Sequence, residues 1–266
     1  MSCTGYLGPQ GSYSFLAAKK MTPENTLAPF DSFFKLMDAL TSGKADCIIL
    51  PIENTLNGGV LQNIDLLQST EGVIADGECV IKIEHRLAAK SGASLKNIKR
   101  IYSHRQALEQ CSEYLFKNFP DASLFETVST SASLDMIKTE EDAGIVGAHT
   151  VREGIDLSEN DIADNGGNYT HFLRVVRGGI DENAQTDKIY FSVTCPNVAG
   201  GLLKLLQEIA AHGMNMTKIE SRPVKEELNE FRFFIEAEGD YSKPSVKQAL
   251  KDIKNAATSF KLLGAY

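Results

Sequence analysis

Polar side chains follow buried strands of this chain at points where a helix begins. The apolar run at 47–50 predicts a short buried strand, and the spacing of apolar residues at 60, 61, 64 and 67 predicts a helix. Between them lies the stretch Pro-Ile-Glu-Asn-Thr-Leu-Asn-Gly-Gly at 51–59. Its two glycines let the backbone approach a bound group, and the free N–H groups of a helix start favour an anion. A plain turn capped by Asn57 is the alternative, and this stretch alone leaves it open.

The same arrangement recurs further along the chain. Polar residues at 103–107 and the Ser/Thr cluster at 128–133 each follow a predicted strand, and the strand at 143–147 ends in glycine before a helix expected from Ala148. Thr170 lies at the mouth of a later strand. Such Ser and Thr residues often only cap helices. Because open α/β sheets bind ligands outside the carboxyl ends of their strands, their recurrence favours a ligand site.

Composition narrows the class of protein. The net charge of -8 argues against nucleic acid as the main partner, and 42% apolar with 23% charged residues is typical of a soluble globular protein. The five cysteines include no CxxC pair and no Cys/His spacing suited to zinc, which indicates free thiols in a reducing cytoplasm. Neither a leader segment nor an apolar run of about 18 residues is present, so we expect no membrane partner.

The order of predicted elements indicates two domains. Alternating strands and helices up to about residue 180 predict an α/β layer fold, and a polar linker follows at 178–186. Residues 187–266 show the order βαββαβ of a ferredoxin-like unit. The glycine turn at 8–14 lacks both GxGxxG and a Walker lysine, so we expect no nucleotide there. His85, at the end of an extended run, is either a site residue or an ordinary strand-end histidine.

Five motifs in order give the chain a resemblance to the prephenate dehydratase family. They are Gly-Pro-Gln-Gly-Ser-Tyr-Ser at 8–14, Pro-Ile-Glu-Asn-Thr at 51–55 with a following glycine, Ser-His with Gln-Ala and Gln-Cys at 103–111, Ser-Thr-Ser-Ala at 129–132, and Asn-Tyr-Thr-His-Phe at 168–172. The C-terminal unit resembles the ACT regulatory domain of these enzymes. Its Gly-Gly-Leu-Leu at 200–203 corresponds to the family's Gly-Ala-Leu-Val, and Glu-Ser-Arg-Pro at 220–223 matches in full.

Three positions depart from the family pattern. His171 stands where the family has the arginine of Thr-Arg-Phe, which is the expected carboxylate partner. Histidine is a weaker and pH-dependent substitute. Arg105 replaces a proline, and Val128 replaces a glutamate that often precedes the Ser-Thr motif. We expect altered substrate binding, with Arg105 able to supply the charge lost at position 171.

The resemblance implies both a fold and an activity. The fold is a two-lobed, periplasmic-binding-protein-like catalytic domain at 1–180, with lobes at 1–76 plus 163–180 and at 77–162, and an ACT domain at 187–266. In the implied reaction, prephenate loses carbon dioxide and its ring hydroxyl to give phenylpyruvate, a step of L-phenylalanine biosynthesis that phenylalanine regulates through the ACT domain. Arogenate dehydratase and a catalytically inactive two-lobed sensor are the alternatives.

Residue roles follow from the resemblance and from the needs of the reaction. Thr170 is the first choice for contact with, or proton donation to, the leaving hydroxyl, and Glu53 is either a loop brace or a proton source. The catalytic set comprises Thr170, Glu53, Asn54, Ser103 and Gln110, and the substrate-binding set comprises Thr55, Gln106, Ser129, Thr130, Ser131, His171 and Phe172. No metal or organic cofactor is implied.

The ACT unit is expected to bind phenylalanine at a subunit interface of a homodimer or homotetramer. Backbone N–H groups beside Gly200 and Leu202 would take the carboxylate of the amino acid. The full set of expected effector residues is Asn197, Gly200, Gly201, Leu202, Leu203, Asn215, Glu220, Ser221, Arg222 and Pro223.

Overall fold

The computed structural model describes residues 2–224 and 230–266 of the chain. Its first part alternates strands and helices, as the apolar pattern predicts. The elements are β1 (Cys3–Leu7), α1 (Tyr13–Met21), β2 (Thr26–Phe30), α2 (Phe33–Thr41), β3 (Cys47–Asn54), β4 (Gly58–Gly59), α3 (Leu61–Ser69) and β5 (Val73–Lys82). The hydroxyls of Ser12 and Ser32 cap α1 and α2 by accepting from the backbone N–H three residues later.

A second group of elements forms a separate small sheet. Its members are β6 (His85–Lys90), β7 (Arg100–Ser103), α4 (Arg105–Gln110), α5 (Ser112–Asn118), β8 (Ser123–Glu126), β9 (Asp142–Gly147) and β10 (Ile155–Leu157). The strand order is β10-β6-β9-β7-β8, and every residue of the central β9 is buried. The chain then returns through β11 (Tyr169–Arg177), which pairs antiparallel with both β3 and β5 in the first sheet.

The C-terminal part has the predicted order βαββαβ. Its elements are β12 (Lys188–Thr194), α6 (Gly201–Ala211), β13 (Met216–Pro223), β14 (Phe231–Glu238), α7 (Pro244–Ala256) and β15 (Ser259–Ala265). Alternate residues of β12 face opposite sides, as in any strand. Ile189 and Phe191 pack against α6 and α7, while Tyr190 packs into the core of the first lobe.

The two domains share one sheet, which the sequence did not predict. Strand β15 pairs parallel with β5 at Gly264 and Ala75, and the combined ten-stranded sheet has the order β13-β14-β12-β15-β5-β11-β3-β1-β2, with β4 beside β3. Phe234 and Leu263 of the C-terminal part are buried in the same apolar cluster as Leu67 of α3. The C-terminal domain is therefore packed onto the first lobe.

Two expectations about boundaries and helices differ from the structure. The first lobe was expected to end at residue 76, but β5 continues in the first sheet until Lys82, where it pairs with Tyr169 of β11. The helix expected from Ala148 is absent from the described residues, because a turn forms there instead. In that turn, His149 Nε2 lies 2.7 Å from the carbonyl oxygen of Gly11, a contact between the two lobes. No helix in the described ranges is long and apolar enough to cross a membrane.

Gly264 provides a test of how the two domains are joined. A Cβ atom there would lie 2.8 Å from Ala75 Cβ and 3.0 Å from the Ala75 carbonyl oxygen. Because this overpacks the single pairing between β15 and β5, we expect Gly264→Val to lower the free energy of unfolding by about 1–3 kcal/mol. Urea unfolding at equilibrium measures it. Gly179→Ala is the control, since its Cβ meets nothing within 4 Å; equal midpoints for the two variants would contradict the prediction.

Candidate active site

A cavity of about 310 Å³ lies between the two lobes. Residues of β3 and β11 form the wall on the side of the first lobe, and α4 with the segment 128–131 forms the facing wall. Eight of the sequence-predicted site residues line it, and they are Asn54, Gln106, Gln110, Ser129, Thr130, Ser131, Thr170 and Phe172. The fold thus brings together polar residues from strand ends that are up to 116 residues apart in the sequence, between Asn54 and Thr170.

Asn54 holds the centre of the site. It is only 8% exposed, and its Oδ1 accepts from the backbone N–H groups of Leu56 at 3.1 Å and Asn57 at 3.2 Å. Because a backbone N–H only donates, the side-chain amide has one possible orientation. Its Nδ2 therefore donates to Thr170 Oγ1 at 3.0 Å and to Asn168 Oδ1 at 2.7 Å. Thr170 accepts this bond, and its own hydroxyl proton has no acceptor among the described residues.

A second set of amides continues from Asn168. This fully buried side chain donates from Nδ2 to Gln110 Oε1 at 3.1 Å, and His85 Nε2 lies 2.8 Å from the same oxygen. Sequence reasoning left His85 undecided and gave Asn168 no role of its own. The signal for Asn168 was its place in the motif at 168–172, two residues before Thr170. His85 carried no sequence signal beyond its position near a strand end.

Glu53 and His171 lie on the opposite face of the sheet from the cavity. In the register of β3 and β11, Thr170 pairs with Asn54 and His171 pairs with Glu53. Successive side chains of a strand point to opposite faces, so one pair faces the cavity and the other faces away. Glu53 Oε2 contacts Lys218 Nζ of β13 at 2.9 Å. His171 is therefore not placed for the expected substrate contact. Of the two roles left open for Glu53, its position does not suit a proton source.

His171 instead belongs to a charged cluster between the domains. Its Nε2 lies 2.5 Å from Glu78 Oε2, and Lys188 Nζ lies 3.0 Å from Glu78 and 3.3 Å from Glu236. Burial raises the pKa of Glu78, but hydrogen bonds with His171 and Lys188 outweigh it, so the net pKa is lowered. Because Lys188 already provides a cation between the two carboxylates, the arrangement serves domain contact better than metal binding.

Three other sequence expectations place residues outside the cavity. Ser103 is fully buried and donates to the carbonyl oxygen of Ile145 at 2.8 Å, which ties β7 to β9. Thr55 donates to the carbonyl of Gly167 at 2.7 Å and so joins two loops. Arg105 forms an exposed ion pair with Glu109 at 2.9 Å, so it does not supply the charge missing at position 171.

Electrically neutral groups dominate the cavity wall. Among the described residues that line it, none is Asp, Glu, Lys or Arg, and the titratable ones are Tyr13, His85 and His104. Removal from water raises the pKa of Tyr13 far above its ordinary value, and the negative charges of Asp161 and Glu84 add to this effect. The cavity therefore offers uncharged donors and acceptors, together with two imidazoles.

The two expected effector motifs occupy different places in one chain. Asn197 and Leu202 line a cavity of about 130 Å³ beside the start of α6. Gly201 is required there by close approach, since a Cβ would lie 2.2 Å from the Pro196 carbonyl oxygen. Arg222, in the second motif, instead contacts Asp65 of α3 at 2.8 Å. Within a single chain the remaining expected residues, which are Gly200, Leu203, Asn215, Glu220, Ser221 and Pro223, do not line the cavity beside α6.

The fold and the cavity define a two-lobed α/β ligand-binding domain followed by a ferredoxin-like domain packed on its first lobe. The family model for prephenate dehydratase matches residues 4–179, and the ACT domain model matches residues 189–255. The chain therefore belongs to the prephenate dehydratase family and carries an ACT domain, and the predicted fold class is confirmed.

Proteins of this family are similar to nearly the whole length of the chain. The bifunctional chorismate mutase/prephenate dehydratase of Neisseria gonorrhoeae (strain ATCC 700825 / FA 1090) is 36% identical over 98% of this chain and 73% of its own length. The prephenate dehydratase of Lactococcus lactis subsp. cremoris (strain MG1363) is 33% identical over 98% of this chain and 96% of its own. A crystal structure of prephenate dehydratase from Arthrobacter aurescens in complex with L-Phe superposes with a TM-score of 0.88 at 28% identity, covering 99% of this chain and 89% of that one.

The orientation of Asn54 generates a stability prediction. In Asn54→Asp, an oxygen replaces the Nδ2 group that now donates to Asn168 and Thr170. Two acceptors then face each other in a buried site, so we expect the free energy of unfolding to fall by about 3 kcal/mol at neutral pH. Chemical denaturation measures the change. The exposed Asn183→Asp is the matched control, and a similar small loss in both variants would show that the orientation of Asn54 is not fixed as described.

Proposed function

We propose that this protein is a prephenate dehydratase, which converts prephenate to phenylpyruvate, carbon dioxide and water in L-phenylalanine biosynthesis. The observation that carries the proposal is the cavity between the lobes, in which Asn54 holds Thr170 with its hydroxyl available to a ligand. Membership of the prephenate dehydratase family supports the same reaction. No cofactor or metal is needed for it, and we propose a cytoplasmic enzyme.

The reaction suits a cavity of hydrogen-bond donors. When the ring carboxylate leaves as carbon dioxide, the electron pair of its carbon–carbon bond moves into the ring, and the carbon–oxygen bond on the opposite ring carbon breaks with its own electron pair. The ring becomes aromatic as both groups are lost, and the departing hydroxyl takes a proton to become water. Because the gain of aromaticity drives the step, the protein needs to orient the substrate and to stabilise the departing oxygen. Thr170 is placed to contact that oxygen, while Gln106 and the hydroxyls at 129–131 would hold the carboxylates.

The neutral cavity wall favours prephenate over arogenate. Arogenate carries an ammonium group where prephenate carries a ketone. A buried ammonium needs an anionic partner, and no Asp or Glu is among the described residues that line the cavity. The keto group of prephenate needs only a donor, such as the amide of Gln106 or Gln110. The same wall supports an enzyme more than a sensor that has lost its chemistry, since Thr170, Asn54 and Gln110 remain assembled.

We further propose that L-phenylalanine regulates the enzyme at an interface between two subunits. The residues expected to bind it lie in two groups that a single chain does not bring into one cavity. A second copy would complete the site, as a homodimer or homotetramer does. Strand β13 is the edge of the ten-stranded sheet and carries Ile219, which is 41% exposed, so it offers a surface for such pairing.

Lys218 is the contact through which we propose that this regulation reaches the active site. It lies on β13, the strand that also carries the Glu-Ser-Arg-Pro motif, and its side chain is only 10% exposed. Its partner Glu53 directly precedes Asn54 on β3. A displacement of β13 would therefore move the backbone that holds Asn54 and, through it, Thr170.

The activity is tested by incubating the purified protein with prephenate and following phenylpyruvate by its ultraviolet absorbance in base. We expect turnover by the wild type and a fall in kcat of about 100-fold or more in Thr170→Ala, because a donor to the departing oxygen is lost. Thr170→Ser keeps the hydroxyl and should retain most of the activity. Arogenate is assayed in parallel. Absence of phenylpyruvate with the wild type would disprove the proposed function, and an active Thr170→Ala would disprove the role of Thr170.

The regulatory contact is tested with Lys218→Met, which keeps the apolar stem and removes the charge. We expect L-phenylalanine to raise the melting temperature of this variant, because the amino acid still binds the folded state. The effect of L-phenylalanine on kcat/KM should be lost, because β13 no longer forms the ion pair with Glu53. The exposed Lys251→Met is the control and should respond like the wild type. An unchanged response in Lys218→Met would show that coupling runs elsewhere.

A further inference from the structure

His85 is the buried histidine of the cavity wall. Its side chain lies at the start of β6, and the residue is 3% exposed. It lines the cavity together with Thr170 and Gln110. The backbone N–H of His85 donates to Asp161 Oδ1 at 2.9 Å, and its carbonyl oxygen accepts from Ile162 at 2.9 Å. The residue is therefore held in place on both sides of its main chain, and its ring position is well defined.

The tautomer of His85 follows from the chain of amides that ends on it. The backbone N–H groups of Leu56 and Asn57 donate to Asn54 Oδ1, which fixes the orientation of the Asn54 side-chain amide. Asn54 must then donate to Asn168 Oδ1, and Asn168 must donate to Gln110 Oε1. The oxygen of Gln110 is thus an acceptor, so the contact of 2.8 Å requires a proton on His85 Nε2. The backbone of one lobe in this way determines the protonated nitrogen of a histidine in the other lobe.

Two polar atoms have no hydrogen-bond partner at the His85 end of this series of hydrogen-bonded amides. His85 Nδ1 and Gln110 Nε2 are both buried and make no hydrogen bond with any described residue. Buried polar groups are almost always paired, so an unpaired acceptor and an unpaired donor on two side chains that line one cavity indicate a ligand that completes them. The Nε2 amide of Gln110 is suited to a carbonyl or carboxylate oxygen. The Nδ1 of His85 is suited to an oxygen that shares a proton with it.

Alternative proton sources in the cavity are poorly placed. The phenol of Tyr13 is already engaged with the backbone of Glu84, to which it donates at 2.5 Å. His104 is exposed, and its Nδ1 accepts from the backbone N–H of Gln106 at 3.3 Å as a helix cap. Thr170 contacts the departing oxygen, but a threonine hydroxyl is too weak an acid to give up its proton outright. His85 therefore remains, because histidine is the side chain that gains and loses a proton near neutral pH.

We propose that His85 is a catalytic residue that donates the proton taken by the departing hydroxyl. The inference rests on the proposed function. A proton from solvent is taken up on Nδ1 as the dianionic substrate binds, while Nε2–H stays on Gln110. When the ring carbon–oxygen bond breaks, its electron pair leaves with the oxygen, the N–H bond of Nδ1 breaks, and water forms. His85 returns to the neutral Nε2–H form, and Gln110 Nε2 holds a substrate oxygen throughout.

The charges around His85 are consistent with this cycle. Asp161 accepts the backbone N–H of His85, and Glu84 precedes it in the chain with its carboxylate paired to Lys82 at 2.7 Å. Tyr13 is neutral, because burial raises its pKa. The two carboxylates of the bound substrate bring negative charge beside the ring, which favours the proton taken up on Nδ1 in this cycle.

His85→Gln is the decisive variant. Glutamine places an amide N–H close to the position of Nε2 and so keeps the contact with Gln110, but it has no proton to exchange. We expect kcat to fall about 100-fold or more with KM changed little, because the loss of a general acid affects the chemical step. A role limited to positioning Gln110 predicts near-normal kcat in this variant, and that result would overturn the proposal. His212→Gln, which alters a contact between α6 and α7, is the control.

The pH dependence of kcat/KM provides a second test of the role of His85. In the wild type, kcat/KM should decrease as the pH is raised, because the population of the His85 imidazolium falls. The residual kcat/KM of His85→Gln should not show this decrease. Identical profiles would overturn the proposal.

Nitrogen NMR of the histidine-labelled wild type should show His85 as the neutral Nε2–H tautomer, and an Nδ1–H tautomer would overturn the proposal without any activity assay. If the wild type fails to convert prephenate, the proposed function itself fails, whatever the NMR shows.

Discussion

Two backbone N–H groups acting on the oxygen of Asn54 determine the hydrogen bonding of the whole cavity. Because these groups can only donate, Asn54 donates in turn to Thr170 and Asn168, and the direction continues to Gln110. Each amide in the series is buried or nearly so, which makes a reversed orientation costly. The loop after β3 thus does more than end a strand. It sets which groups of the site offer protons and which accept them.

The pleat of β3 and β11 adds a second constraint. In their register Asn54 lies opposite Thr170, and the next pair, Glu53 and His171, must face the other way. That other face meets the ACT domain, where Lys218 binds Glu53 and Glu78 lies against His171. Residues adjacent in sequence therefore line the cavity and form the domain contact respectively. This explains how the arginine of the family motif can be a histidine here without placing a different residue in the cavity.

Apolar periodicity indicated the α/β layers and the βαββαβ order. Polar residues at strand ends, together with the family resemblance, indicated eight of the residues that line the cavity. Sequence reasoning placed His171 and Glu53 in the site because a motif does not state which face of the strand each residue occupies. It left His85 undecided for a related reason. The significance of this histidine arises from an unpaired nitrogen and from its contact with Gln110, 25 residues away, whose oxygen also accepts from Asn168. No local pattern records such contacts.

The joining of the domains limits how an effector can act. A linker at 178–186 would allow the ACT domain to move freely if its surface were polar, as many interfaces between domains are. Here Tyr190, Phe234 and Leu263 are buried in the core of the first lobe, and β15 pairs with β5. Separation would expose these side chains to water, so large rotations are disfavoured. The proposed regulation would then operate by small shifts of packed strands. Strand β13 is the strand best placed to shift, because it is the edge of the sheet and its Lys218 contacts Glu53.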